Sequence, residues 1–213
     1  MSDDALRYWL ALSFVKDVGP VTIKKLVALF HAPERIFSAT IAELLDVEDV
    51  GEVRARSIRE FASWKAVDRE IKAVQDKGIG IITYTDDAYP VRLREIDDSP
   101  VVPYIKGGMT DEDNCAVAMV GSRAMTDYGR IVSERIASGL AASGITVVSG
   151  MARGIDTVSH RAALRAGGRS IAVLGCGLDR PYPSENRRLM EEIAASGCVI
   201  SEFPLGTPPN REN

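Results

Sequence analysis

From Ala116 onward the chain repeats one unit: a short β-branched run, a glycine turn and a helical stretch. Residues 117–120 end at Gly121 and lead into a helical pattern through Ile131, Val132, Ile136 and Leu140, which stops at Gly144. Residues 145–148 end at Ser149-Gly150 before a helix over about 155–166. Residues 171–174 end at Gly175-Cys176-Gly177 before a helix over 186–195, and a further strand runs over 198–201. Apolar runs that alternate with helices point to a parallel sheet covered on both faces, so this segment is expected to be α/β and Rossmann-like.

The first 66 residues have a different grammar. Leu6, Trp9, Leu10 and Phe14 follow a helical period, as do Ile23, Leu26, Val27 and Phe30, and Thr40 through Glu43 has capping-box spacing. One pattern occurs twice, 32 residues apart: Asp17-Val18-Gly19-Pro20-Val21, then Lys24 and Leu26, against Asp49-Val50-Gly51-Glu52-Val53, then Arg56 and Ile58. An apolar–Gly–x–apolar turn into a helix is the helix-hairpin-helix signature, whose glycine leaves N–H groups free for a phosphate. Gly19, Lys24 and Lys25 are therefore a candidate secondary DNA contact, whereas Glu52 in the second turn would repel one. The same pattern also suits a helical bundle with tight turns, or a protein-contact module of the sterile-alpha-motif (SAM) type. The expected organisation is a helical domain over 1–66, a linker helix over 67–77 and the Rossmann-like domain over 78–213, with early strands at 79–85 and 102–105.

Composition narrows the function. The formal net charge is −4, so no global basic field draws the protein to nucleic acid, and any anion site must be local. Residues 86–113 carry eight acids against Arg92, Arg94 and Lys106; residues 118–190 carry ten bases, all Arg, against five acids. Arginine's planar fork suits bidentate phosphate contact. No apolar run approaches the roughly 18 residues of a membrane span, and the start, with Asp3 and Asp4, is not that of a signal peptide. Cys115, Cys176 and Cys198 form no CxxC, and with only His31 and His160 beside them neither a disulfide framework nor a metal site is expected. A cytoplasmic protein without a cofactor is the expectation.

In a parallel α/β sheet, ligands bind beyond the carboxyl ends of the strands. Three successive turns at that edge combine glycine with arginine: Gly121-Ser122-Arg123, Gly150-Met151-Ala152-Arg153-Gly154, and Gly175 and Gly177 followed by Arg180. Neighbouring strands lie about 4.8 Å apart, so donors on three of them would span about 10–15 Å, the reach of a short run of single-stranded backbone. The dinucleotide fingerprint GxGxxG is only half present, since Arg180 stands where its last glycine belongs, and no GxxxxGK[ST] occurs. His160 with Asp156 at i−4 is a weak catalytic pair, better read as helix packing with Asp156 fixing the turn. Cys176 reads as a small buried thiol.

With these residues in place the chain resembles the DNA-processing protein A (DprA, also Smf) family. The likeness rests on Tyr89-Pro90 with Leu93, Ile96 and Pro100, on the three turns above with Ile155, Asp156 and His160, on Tyr182-Pro183 and Asn186, and on Ser201 through Gly206. The resemblance implies a non-enzymatic protein that binds incoming single-stranded DNA, forms a homodimer and loads the RecA recombinase in natural transformation and recombination. It also implies that Arg123 holds a DNA phosphate and that the turn from Gly150 to Gly154 lines the same pocket. Members continue past this point with a basic Arg/Asn-rich segment, so the chain is expected to be a fragment whose sheet is incomplete at its C-terminal end. Two other readings remain at this stage. One is a phosphoribohydrolase of the lysine decarboxylase-like group, whose PGGxGTxxE stretch is absent here; the other is an interaction scaffold working through the helical module.

Overall fold

The computed structural model describes residues 3–210. Its elements run α1 Asp3–Ser13, α2 Pro20–Phe30, α3 Pro33–Ser38, α4 Ile41–Leu45, α5 Glu52–Arg59, α6 Trp64–Asp76, β1 Gly80–Ile81, α7 Val91–Arg94, β2 Tyr104–Gly107, β3 Ala116–Ala118, α8 Asp127–Ala142, β4 Thr146–Ser149, α9 Ile155–Arg165, β5 Ser170–Leu174, α10 Arg187–Ser196 and β6 Cys198–Ser201. They fall into two compact units. One holds the chain up to Lys77 together with Ile82–Val102; the other holds Gly78–Ile81 and everything from Pro103 onward.

In the helical unit the sequence echo is a backbone echo. Asp17 and Asp49 take left-handed φ of 63° and 66°. Gly19 and Gly51 then cap α2 and α5 with nearly identical extended angles, φ/ψ of −91/176° and −87/178°. Ile23 N–H donates to Gly19 O and Ala55 N–H to Gly51 O, both at 3.0 Å, while Val18 and Val50 are buried beneath the turns. Arg54 ties the copies together, donating to the carbonyls of both Asp17 and Asp49. The Thr40–Glu43 capping box forms, with Glu43 Oε2 accepting from Thr40 N–H at 2.7 Å. Leu10, Leu12, Ile23, Leu26, Ile36, Leu44 and Ile58 make the core, beside an aromatic cluster of Tyr8, Phe37, Phe61 and Trp64.

The expected boundary at residue 78 needs correcting. Only Gly80–Ile81 of the β-branched run is strand. Asp86 bends the rest back, its carboxylate accepting from Thr83 N–H at 2.7 Å. Residues 82–102 then join the helical unit, where Lys24 Nζ donates to Ile96 O (3.1 Å), Asp97 O (2.8 Å) and Ser99 Oγ (2.6 Å). The helix expected as a linker is α6, an integral member of that unit.

The second unit is a six-stranded sheet in the order β1-β2-β6-β5-β4-β3. β3 through β6 are parallel, as the strand–turn–helix repeat requires, while β2 and β1 add on antiparallel beside β6. Val147 packs on Ala137 and Ala141 of α8 and on Ala162 and Ala163 of α9. Two residues on, Ser149 is in register with Ala172, Val199 and Lys106 on successive strands, and Lys106 pairs with Glu191 of α10. Partners in register share a face, so α8, α9 and α10 all lie on one side. The opposite side is not fully covered by the described residues: Val173, two along from buried Ile171, is 47% exposed. Cover on both faces therefore does not hold here. Adjacent parallel strands taken in sequential order place every right-handed crossover on the same side.

Candidate nucleic-acid interface

Because β3, β4 and β5 are neighbours and parallel, the three glycine turns come together at one end of the sheet. A cleft of about 470 Å³ opens there, lined by Arg123, Gly150, Ala152, Leu174, Gly175, Cys176, Tyr182, Pro209 and Asn210. No carboxylate is among these residues. Arg123 is exposed, and its guanidinium has no hydrogen bond or ion pair among the described residues. A free guanidinium beside exposed glycine backbone, without a competing acid, is chemistry suited to a phosphodiester.

The central turn is held from beneath. Asp156, buried at the start of α9, accepts from Ala152 N–H through Oδ2 at 3.2 Å. Thr157 Oγ1 donates to Ala152 O at 2.7 Å, and Asn186 Nδ2 donates to Met151 O at 3.0 Å. The turn's carbonyls are thus turned into the protein, which keeps their negative ends from an incoming anion. Met151 is fully buried with a left-handed φ of 64°, so its contribution to the turn is conformational.

The glycines have different reasons for being glycine. A Cβ on Gly154, whose φ is 82°, would lie 2.2 Å from Ser122 O, and one on Gly121 would lie 2.5 Å from Ile155. Gly177 is buried, with Pro204 O 2.6 Å from where its Cβ would be. Gly154 and Gly121 let the first two turns pack against one another, and Gly177 lets the third turn pack against the segment that follows β6. Gly150 and Gly175 line the cleft. Ser122 closes its own turn, Oγ accepting from Ala124 N–H at 3.1 Å while Ser122 O accepts from Ile155 N–H at 3.2 Å.

Two sets of expected contacts sit elsewhere. Arg153 turns from the cleft and grips Glu185 in a fork, at 2.6 and 3.1 Å; its pKa is raised by that bond. In the helical unit Lys24 is spent on the carbonyls already described, and Lys25 pairs with Glu48 at 2.9 Å and with Asp49, which raise its pKa. Gly19 is exposed, with nothing within 4 Å of where a Cβ would stand. Tyr182, Pro209 and Asn210 line the cleft without having been singled out by spacing. Tyr182 had a signal, since an exposed aromatic beside the third turn was already part of the family likeness.

His160 is fully buried, with Nδ1 2.7 Å from Ser170 Oγ. Burial pushes its pKa down to about 4, the Ser149 backbone opposing in part. Burial also raises the Cys176 thiol, with Asp179 adding to it, so it stays protonated and weakly nucleophilic. Among the described residues no cluster of three or more His, Cys, Asp or Glu could hold a metal ion, and no helix is long and apolar enough to cross a membrane.

The family described as DNA recombination-mediator protein A matches residues 80–213, and a helix-hairpin-helix motif matches residues 7–71. The chain is 39% identical to Protein Smf of Synechocystis sp. over 217 residues, covering all of this chain and 54% of that protein. It is 44% identical over 124 residues to DNA processing protein DprA of Streptococcus pneumoniae, covering 58% of this chain and 44% of that one. It thus spans about half the length of these relatives. The X-ray structure of DNA processing protein A from Streptococcus pneumoniae superposes with a TM-score of 0.75 at 31% identity, over 96% of this chain and 69% of that one. A structure describing the single-stranded DNA binding mode of DNA processing protein A from Helicobacter pylori superposes with a TM-score of 0.53 at 28% identity, over 63% of this chain and 60% of that one.

Proposed function

The chain belongs to the DNA recombination-mediator protein A family, and from that premise we propose that its glycine-lined cleft binds single-stranded DNA and presents it to the RecA recombinase. The observation that carries this reading is the unpaired guanidinium of Arg123 in a cleft with no carboxylate in its wall. Arg123 takes a phosphate, exposed backbone at Gly150 and Gly175 lets the strand approach closely, and Tyr182 offers an aromatic face to a base. The role is non-catalytic, carried out in the cytoplasm by a homodimer during natural transformation or homologous recombination. The Helicobacter pylori relative, described by its single-stranded DNA binding mode, supports the choice of ligand. In the helical unit, the exposed turn at Gly19 would serve as an accessory phosphate contact through its backbone, with open space around it to admit one.

The magnitude is modest. Arg123 is the one cationic side chain lining the cleft among the described residues, and one phosphate neutralised on a single strand gives a salt slope near −0.7, so affinity falls about 2.6-fold between 50 and 200 mM salt. Fluorescence anisotropy of labelled oligo-dT and of a matched duplex at those two concentrations tests it. Preference for the single strand, with a slope reduced by about 0.7 in Arg123→Ala, is expected. Absence of binding to oligo-dT, or an Arg123→Ala curve that overlays the wild type, would overturn the proposal. Release of a free base from a nucleoside monophosphate would favour the phosphoribohydrolase instead.

A further inference from the structure

The turn from Gly150 to Gly154 has two sides. Gly150 and Ala152 face the cleft, whereas Arg153 and Gly154 line a second groove of about 410 Å³ on the outer surface between α8 and α9. Small residues, Ala137 and Ala141 against Ala162 and Ala163, pack beneath these helices. Above them the α9 wall carries Thr157, Arg161 and Arg165 at four-residue steps, and the α8 wall carries Arg130 and Glu134. With Arg153 and Glu185 at its mouth, the groove holds four guanidinium groups and two carboxylates.

The acids do not balance the bases. Glu185 is used by Arg153. Glu134 is shared between Arg165 and Arg130, the latter at 3.5 Å. Arg161 is exposed and has no partner among the described residues. Arg130 also lies 3.9 Å from Asp127, so one positive charge, that of Arg161, is in excess. Arg161 and Arg165 stand one helical turn apart, a rise of about 6 Å, close to the separation of successive phosphates on an extended strand. Met125 and Val158 provide apolar surface in the same groove.

Building on the single-stranded DNA reading of the cleft, we infer that the α8–α9 groove is a second phosphate site, which takes the strand after it passes over the Gly150–Gly154 turn. Arg161 is its principal contact. The ligand class is a nucleic-acid backbone longer than the cleft alone can hold, so the site adds to binding only when the strand is long enough to reach it.

The test measures anisotropy with oligo-dT of about 5 and about 15 nucleotides, using the whole chain as wild type, Arg161→Glu, Arg123→Ala and Arg135→Glu. Arg135 is an exposed arginine of α8 outside the groove, unpaired among the described residues, and controls for general loss of positive charge. Arg161→Glu is expected to weaken the 15-mer by about tenfold and to flatten its salt slope by about 0.7, leaving the 5-mer unchanged. Arg135→Glu should change neither by more than about twofold, a surface charge acting weakly through screened solvent. Wild-type affinity of Arg161→Glu for the 15-mer, or equal losses in Arg161→Glu and Arg135→Glu, would overturn the groove while leaving the cleft intact. Loss of binding to both lengths in Arg123→Ala supports the cleft by itself. No binding by wild type overturns both.

Discussion

His160 makes a pH prediction whose size follows from its surroundings. Ser170 Oγ carries one proton and donates it to Val147 O at 2.8 Å, so toward His160 Nδ1, 2.7 Å away, it accepts. Nε2 is buried and has no hydrogen-bond partner among the described residues. Charging the ring would bury a cation, which is why its pKa falls from 6.5 to about 4. Between those values the unfolded chain binds a proton that the folded chain refuses, so stability declines as pH drops through that window. At 1.36 kcal/mol per pKa unit, the loss from pH 7 to pH 4 is about 3 kcal/mol. His160→Asn keeps a donor and cannot titrate. Urea unfolding of both proteins between pH 4 and 7 should therefore show the wild-type advantage shrinking by about 3 kcal/mol toward pH 4. Parallel profiles, or a His160 ring that titrates near 6.5 by NMR, would refute the reasoning.

Arg169 offers a second test. It donates to both carboxylate oxygens of Asp113, at 3.0 and 2.9 Å, and to the carbonyls of Ser196 and Gly108. Although burial pushes the Asp113 carboxyl up, Arg169, Thr110 N–H and Thr146 together hold it below its ordinary value. Arg169→Ala strands that carboxylate and should cost about 3–5 kcal/mol near neutral pH. The stabilisation is present above the ordinary carboxylate value and is lost as pH falls from there through the lower folded value, so the two proteins should converge in acid denaturation. Glycine substitutions should separate packing from access in thermal melts: Gly154→Ala, forced against Ser122 O at positive φ, should lose more than about 2 kcal/mol. Gly19→Ala, with φ of −91° and open space around it, should change stability by no more than about 1 kcal/mol.

Much of the fold was legible in the sequence because it depends on local periodicity. The strand–glycine–helix repeat specified β3 through β6 as parallel strands, whereas their adjacency, which gathers the three turns at one end of the sheet, is a feature of the tertiary structure. The 32-residue echo likewise became a repeated turn, since Asp, Val and Gly in that order set the same backbone angles twice. Asp156 was legible as the brace of its turn, because a carboxylate four residues after a turn N–H is within reach of it.

Tertiary structure decided which charges are free. Ten arginines between residues 118 and 190 read alike in sequence, yet Arg169 is consumed by Asp113, 56 residues away, and Arg153 by Glu185, 32 residues away. Lys24 is taken up by carbonyls more than 70 residues distant. Arg123 and Arg161 remain unpaired among the described residues. It also decided that residues 82–102 return to the helical unit and that α8, α9 and α10 share one face of the sheet. Periodicity fixes an element and its inward face by interactions a few residues long, whereas an ion pair depends on which distant segment the folded chain brings alongside.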